Sequence, residues 1–517
     1  MQQERNIEDI LHWLRDYANH RLNSRLMDQR RTFPPYVILD LGNKGILGML
    51  APKTFGGMEL NLSDTMRILE QFGAIDIALG LFVGLNNILG IMPIARYATS
   101  KTQEKILPML ATGRELAAFS ITEPGAGSNP LAIQAQAIYD SNNKWKLFGT
   151  KIWSGSAAWA GSINIFVRLI DENNRDKGIT GFIIKQGTKG LRQGAEELTM
   201  GMRGMIQNTI HLEGVSATTD FLLGKEGRGM DVAQDAMMHG RLGIGALCLG
   251  GVKRCLQLIL RYAEKRSIAT GNLLDNNVTL LYISDIIYSI NTLENIIKII
   301  TARLDANENV PKELFAICKI LGSEFLWEAA DKLVQLLGGR GYIETNIAPQ
   351  ILRDARIFRI FEGPTETLYA FLGSKMLSSS HDMYNFLQNN LKMPQAVDRI
   401  KNCLEMLQND QSNNSSYTQN YQYNTFVIGK IITYLIPIFI LQHNFKNKFD
   451  DSVHKTIAWL EASIKEITFK YISQKNNYDF VTKNNVKDLI NCYRISIGDI
   501  EQTMAGENLQ LDGMLSR

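Results

Sequence analysis

Residues 163–169 read INIFVRL: Ile163, Ile165, Val167 and Leu169 alternate with Asn164, Phe166 and Arg168. Period-two alternation marks a strand with one buried face. The same pattern recurs where Ile210 and Leu212 alternate with Thr209, His211 and Glu213. Turn-forming runs at 140–143 (DSNN) and 171–174 (DENN) complete a small antiparallel β domain, expected over residues 117–229.

On both sides of this segment the period is helical. Residues 1–116 read as an N-terminal α domain, punctuated by Phe33-Pro34-Pro35 and Gly56-Gly57, with a helix start at Leu62-Ser63-Asp64. After residue 230 one stripe runs through Gly245, Leu249, Val252, Leu256, Ile259 and Ala263. A second runs through Ile283, Ile286, Ile290, Leu293, Ile297, Ile300 and Leu304. A third helix starts at Pro311 and stops at Gly338-Gly339, and a shorter fourth begins near Thr365. The expected class is therefore mainly α with a small β domain: an N-terminal α domain, a middle antiparallel β domain and a C-terminal four-helix bundle over 230–376. An added helical module is expected over 377–517. Within it, residues 408–424 are Asn/Gln/Ser/Tyr-rich and read as a mobile loop. The apolar run 426–441, interrupted by Lys430 and Pro437, is shorter than the roughly 20 residues of a membrane span. It reads as a buried or membrane-surface helix, and the module as a device for assembly or membrane-surface association.

Composition narrows the function. Lys and Arg number 55 and Asp and Glu 52, a net charge of +3 without a basic stripe, so no nucleic-acid partner is implied. The five cysteines form no CxxC pair, and no HExxH-type spacing occurs, so no metal is expected and the thiols read as mostly buried. The acid-bearing opening MQQERNIEDI predicts a cytoplasmic protein. His211 reads as structural, and Gly243-x-Gly245 as helix packing, since it lacks the third glycine of a dinucleotide fingerprint.

The turn at 122–129, TEPGAGSN, could converge backbone N–H groups on a ligand or be a tight turn alone. Four further segments stand with it: GTKIW at 149–153, MGMRG at 200–204, QLLGGRGY at 335–342 and RDARIFRIFEG at 353–363. In this order the five segments resemble the acyl-CoA dehydrogenase family over roughly residues 30–376, and the last wording and the added module look most like its very-long-chain branch. The resemblance implies FAD between the β domain and the bundle, and oxidation of an acyl thioester at Cα–Cβ, as in fatty acid metabolism. Glu362 would take the α proton while flavin N5 accepts the β hydride. Phe119, Ile121, Thr122 and Ser128 would border the flavin, Ser128 also facing the thioester. Trp153 would cover the ring, beside Ser154. Arg266, in YAEKR, would meet the pyrophosphate. Gln335, Leu336, Gly338 and Gly339 would meet the adenosine half of a partner subunit's FAD, and Thr365 and Glu366 lie in the remaining cofactor segment. Arg241 would lie near the substrate.

A homodimer or homotetramer is thereby implied, as is an electron-transferring flavoprotein or another electron acceptor. Some family members carry the base just before the position of Arg241, but this chain has Gly240 there. Departures from the family pattern include residues 267–271 (SIATG), Asn276-Asn277, Gly155, Pro364 and Asn129. They leave an acyl-carrier-protein substrate, or a non-catalytic assembly or binding protein on the same fold, as alternatives.

Overall fold

The computed structural model describes residues 6–141, 144–378, 381–408, 417–446, 450–477 and 481–498. Seven helices form the N-terminal domain: α1 Ile7–His20, α2 Ser24–Arg30, α3 Pro35–Lys44, α4 Leu62–Ile75, α5 Ile77–Gly84, α6 Met92–Tyr97 and α7 Ser100–Ala111. Asparagine or aspartate starts most of these helices: Asn61 accepts from Asp64 N at 2.7 Å and Asp76 from Leu79 N at 2.7 Å. Between α5 and α6 the chain takes a π-helical turn, Leu85–Ile91. Pro93 follows and has no N–H to offer that turn, and the Asn164 amide donates instead to Leu89 O and Gly90 O, both at 2.9 Å.

The middle domain is one eight-stranded sheet. Its strands are β1 Ala117–Ser120, β2 Gln136–Ser141, β3 Lys144–Gly155, β4 Ser162–Ile170, β5 Asp176–Lys185, β6 Leu191–Glu196, β7 Gln207–Thr218 and β8 Leu222–Leu223. The order is β6-β7-β3-β2-β4-β5-β8, with β1 also on β4. The expected antiparallel sheet is in fact mixed. β1 and β2 each run parallel to β4, along successive parts of that strand. Residues 142–143 of the anticipated first turn lie outside the described residues. Trp145, Phe182, Ile165 and Leu212 fill one apolar cluster, and Phe119, Phe166 and Ile179 belong to another that packs against the N-terminal helices.

The bundle follows as α8 Gly229–Ala263, α9 Asn277–Asp305, α10 Lys312–Leu337, α11 Gly339–Tyr342, α12 Ile347–Phe358 and α13 Thr365–Leu377. Glycine sets the closest crossings. A Cβ on Gly250 would lie 1.8 Å from Glu70 O of α4, and one on Gly245 2.3 Å from Cys318 Sγ of α10. Asp305, at the end of α9, accepts from Leu62 N and Ser63 N at the start of α4, where a carboxylate also suits the helix dipole.

Next come α14 His381–Asn385, α15 Pro394–Gln408, α16 Tyr417–Asn444 and α17 Asp451–Asn477. The helix of α16 takes in residues 417–424 of the expected loop, and 409–416 lie outside the described residues. Its apolar run is buried within the fold: Ile431, Leu435, Ile436 and Ile440 are at most 2% exposed. Cβ atoms on Gly373 and Gly429 would each fall 1.8 Å from a backbone carbonyl of the facing helix, so α13 and α16 touch almost backbone to backbone. This packing removes the reason for assigning the run to a membrane surface. Among the described residues three helical stretches, Ile77–Tyr97, Gly229–Ala263 and Tyr421–Asn444, are long and apolar enough to cross a membrane by length and composition, and each is mostly buried in the fold. The first compact unit extends to Ser463. The second, from Ile464, holds the end of α17 and α18 Val486–Ile497.

Candidate active site

Helix α12 ends where Ile360 N and Phe361 N both turn back to Ile357 O. The next two residues have positive φ, 54° at Glu362 and 96° at Gly363, before Pro364 starts α13. Glycine adopts this region freely, but a glutamate there is strained and must be held by its surroundings. Two cations hold it. Arg241 of α8 donates through Nε to Glu362 O at 3.1 Å, and Lys319 of α10 donates through Nζ to Gly363 O at 2.6 Å.

Glu362 is half-buried as a residue. Its Oε2 is buried without a hydrogen-bond partner, and its N–H has none among the described residues. Burial raises its pKa, with Arg241 and Lys319 opposing. Burial likewise lowers the pKa of Arg241 and pushes Lys319 down to about 8. Gly240 faces the same spot: a Cβ there would stand 3.8 Å from Glu362 Cδ and 3.4 Å from Leu89 of the π-helical turn. The position considered for an alternative base thus converges on this carboxylate, and in this chain it carries no side chain.

The β domain supplies a second group. Glu123 of the TEPGAGSN turn is buried against Lys151, with Oε1 2.6 Å from Nζ, and accepts from Gln134 N at 2.6 Å and Ala135 N at 3.0 Å. Lys151 also donates to Ile121 O at 3.2 Å, and Ile152 N donates to Thr122 O at 3.0 Å. The turn is thereby clamped to β3. The side chain of Phe119 lies in the core against Phe166, whereas Ser128 is exposed. Trp153 sits at a register shift between β3 and β7 with φ 54° and is 62% exposed. A large aromatic held out in a strained conformation offers a flat apolar face. Ser154 points inward and shares a 2.6 Å hydrogen bond with Ser120. A Cβ at Gly155 would come 2.8 Å from the end of the Leu85 side chain.

The remaining candidates lie elsewhere on the bundle. Arg266 is exposed just beyond α8, in a small hairpin. Gln335, Gly338 and Gly339 are exposed at the end of α10, with Leu336 half-buried. A Cβ on either glycine would meet nothing within 4 Å. Gln335 is about 24 Å along the α10 axis from Lys319 at 1.5 Å per residue, so the structure does not bring this group to Glu362 within one chain. Thr365 is buried and donates to Glu324 at 2.8 Å, which seats the start of α13; Glu366 is exposed.

Arg353 and Asp354 have a different task. Arg353 grips Asp28 of α2 with two hydrogen bonds of 3.0 and 2.7 Å, and Asp354 accepts from Met202 N at 2.5 Å. Arg203 approaches Asp28 at 3.6 Å. The MGMRG and RDA segments therefore meet in a buried clasp joining all three domains.

Residues 5–114 match the acyl-CoA dehydrogenase N-terminal domain, 118–215 the middle domain and 227–377 the C-terminal domain. The chain belongs to the acyl-CoA dehydrogenase family. The very long-chain specific acyl-CoA dehydrogenase of Macaca fascicularis is 29% identical over 357 residues, 68% of this chain and 54% of that protein, so the chain spans about half the length of this relative. The acryloyl-CoA reductase (NADH) of Anaerotignum propionicum is 30% identical over 342 residues, 66% of this chain and 86% of that one. In fold, the chain resembles the acyl-CoA dehydrogenase of Bacillus anthracis solved with FAD, with a TM-score of 0.78 at 20% identity over 94% of this chain and 90% of that one.

Sequence reasoning missed several residues of this acyl-CoA dehydrogenase fold: Lys151, Lys319 and the acids Asp28 and Asp76. Lys151 stands inside GTKIW, where only the tryptophan was singled out. The available signal was a single charge at a position that the period assigns to the core, as in AICKILG at 316–322.

Proposed function

We propose that the chain is an FAD-dependent dehydrogenase that oxidises the Cα–Cβ bond of an acyl thioester, with Glu362 removing the α proton. The observation that carries this reading is the buried, unpartnered Oε2 of Glu362. A buried carboxylate oxygen without a donor is unfavourable unless a ligand meets it. Its raised pKa makes the carboxylate a stronger base for a weakly acidic C–H. The Glu362 N–H, which has no partner among the described residues, suits the thioester oxygen on which charge develops. Bound FAD supplies the acceptor for the hydride leaving Cβ.

The residues present fit that cofactor. Trp153 offers an exposed indole beside the clamped Thr122 turn, and Arg266 an exposed guanidinium for phosphate. The separation of Gln335 from Glu362 supports a site completed by a second copy of the chain. The electron acceptor in this reading is an electron-transferring flavoprotein or another redox partner.

The purified protein is expected to show a flavin absorption spectrum that bleaches on anaerobic titration with a panel of saturated acyl-CoAs and acyl-carrier proteins. Glu362→Gln should keep its FAD and lose flavin reduction by about 10²-fold or more. Reduction at the parental rate would remove Glu362 from the role.

A further inference from the structure

Lys319 lies in the middle of α10 and is 0% exposed. An ammonium buried without a counter-charge is unfavourable, yet the hydrogen bond from its Nζ goes to a carbonyl, Gly363 O at 2.6 Å, rather than to a carboxylate. The preceding carbonyl, Glu362 O, accepts from Arg241 at 3.1 Å. Two consecutive peptide planes are thus held by cations from two different helices, α8 and α10, at the two residues whose φ is positive. Fixing both carbonyls fixes the rotation of the backbone on which the Glu362 side chain is mounted.

We infer that Lys319 is a positioning residue for the proton-abstracting carboxylate: it pins the Gly363 carbonyl and holds Glu362 in its left-handed conformation. The inference rests on Glu362 being the base. The charged and titratable groups facing Lys319 are Cys248 and Arg241 from α8, Glu324 from α10 itself and Glu362 from the turn. Burial pushes Lys319 down to about 8, so it carries its charge at neutral pH. Burial drives Glu362 towards the neutral form and Lys319 opposes it. With the lysine charge gone, Glu362 takes up its proton at higher pH.

The test uses the FAD-loaded full chain with Lys319→Met, which removes donor and charge, and Lys319→Gln, which keeps a neutral donor. Removing a buried cation and its hydrogen bond costs stability; if the Met variant does not fold, the Gln variant carries the test. Three quantities are read: FAD content, the pH profile of anaerobic flavin reduction by the most reactive acyl-CoA of the panel, and the infrared carboxyl band that disappears in Glu362→Gln. FAD content should be unchanged. The band and the acid limb of the profile should move together to higher pH in both variants, and the Met variant should lose about ten- to a hundredfold in neutral-pH rate. Parental band, profile and rate in both variants, with Glu362→Gln inert, overturn the role of Lys319 and leave the base assignment standing. An active Glu362→Gln overturns the base assignment itself.

Discussion

Asp354→Asn should make the protein more stable than its parent at alkaline pH and much less so at acid pH. Asp354 is 2% exposed at the three-domain clasp, and burial pushes its pKa from 3.8 up to about 8. Asp76 and Asp28 add to this, while the Met202 N–H and Arg353 oppose it. The folded protein therefore holds this proton more tightly than the unfolded chain. The resulting stability is fully present below the unfolded pKa and is lost as pH rises to about 8. At about 1.4 kcal/mol per unit, the loss between pH 5 and pH 8 is about 4 kcal/mol. Asparagine keeps the oxygen that accepts from Met202 N and has no proton to release. The stability difference between variant and parent should move by about 4 kcal/mol in favour of the variant over that interval. Urea denaturation followed by circular dichroism at matched pH values measures it. A difference independent of pH would show that Asp354 is ionised in the folded protein, and the burial argument would be wrong.

Glu123→Gln removes the charge that faces Lys151 in a pair whose side chains are 7% and 0% exposed. It should destabilise the protein by about 3 kcal/mol and lower FAD content, as the 119–128 turn loosens; unchanged hydrogen exchange in that turn would count against it. Gly429→Ala forces a methyl to within 1.8 Å of Tyr369 O. It should cost about 1–3 kcal/mol in denaturation while leaving FAD content unchanged, and an unaltered midpoint would mean that α16 does not sit on α13.

The parts of the fold legible in the sequence are those decided within a few residues. Pro311 and Gly338 bound α10 because a missing N–H and a positive φ act locally. The stripes of α8 and α9 show because a buried face repeats every 3.6 residues. What stayed hidden depends on distant partners. The parallel placement of β1 and β2 on β4 is set by pairing between distant segments, which short runs of sequence do not record. The π-helical turn is supported by Asn164, which comes from β4. Residues 417–424 looked too polar to order, yet they extend a helix whose next turns are buried against α13, so nucleation is supplied by its neighbour. The site divides in the same way. Glu362, the Thr122 turn and Arg241 were legible through recognisable segments, whereas Lys319, the second cation that holds the Glu362 turn, comes from the core face of α10 and was not.

The RDARIFRIFEG segment combines two functions that only the structure separates. Arg353 and Asp354 lie on α12 and bind it to α2 and to the 200–204 turn of the β domain. Glu362 stands just past the end of the same helix. From Arg353 to Phe358 the axis advances only about 7.5 Å, so any tilt of α12 relative to the other domains displaces the carboxylate by a comparable angle over a short lever. The clasp suppresses that tilt, and the carbonyl contacts of Arg241 and Lys319 suppress the remaining rotation of the turn. A strained glutamate at φ 54° can be a stable feature only under both restraints. The clasp and the base therefore have to be close in sequence: a longer connection would let the turn relax whatever held the helix.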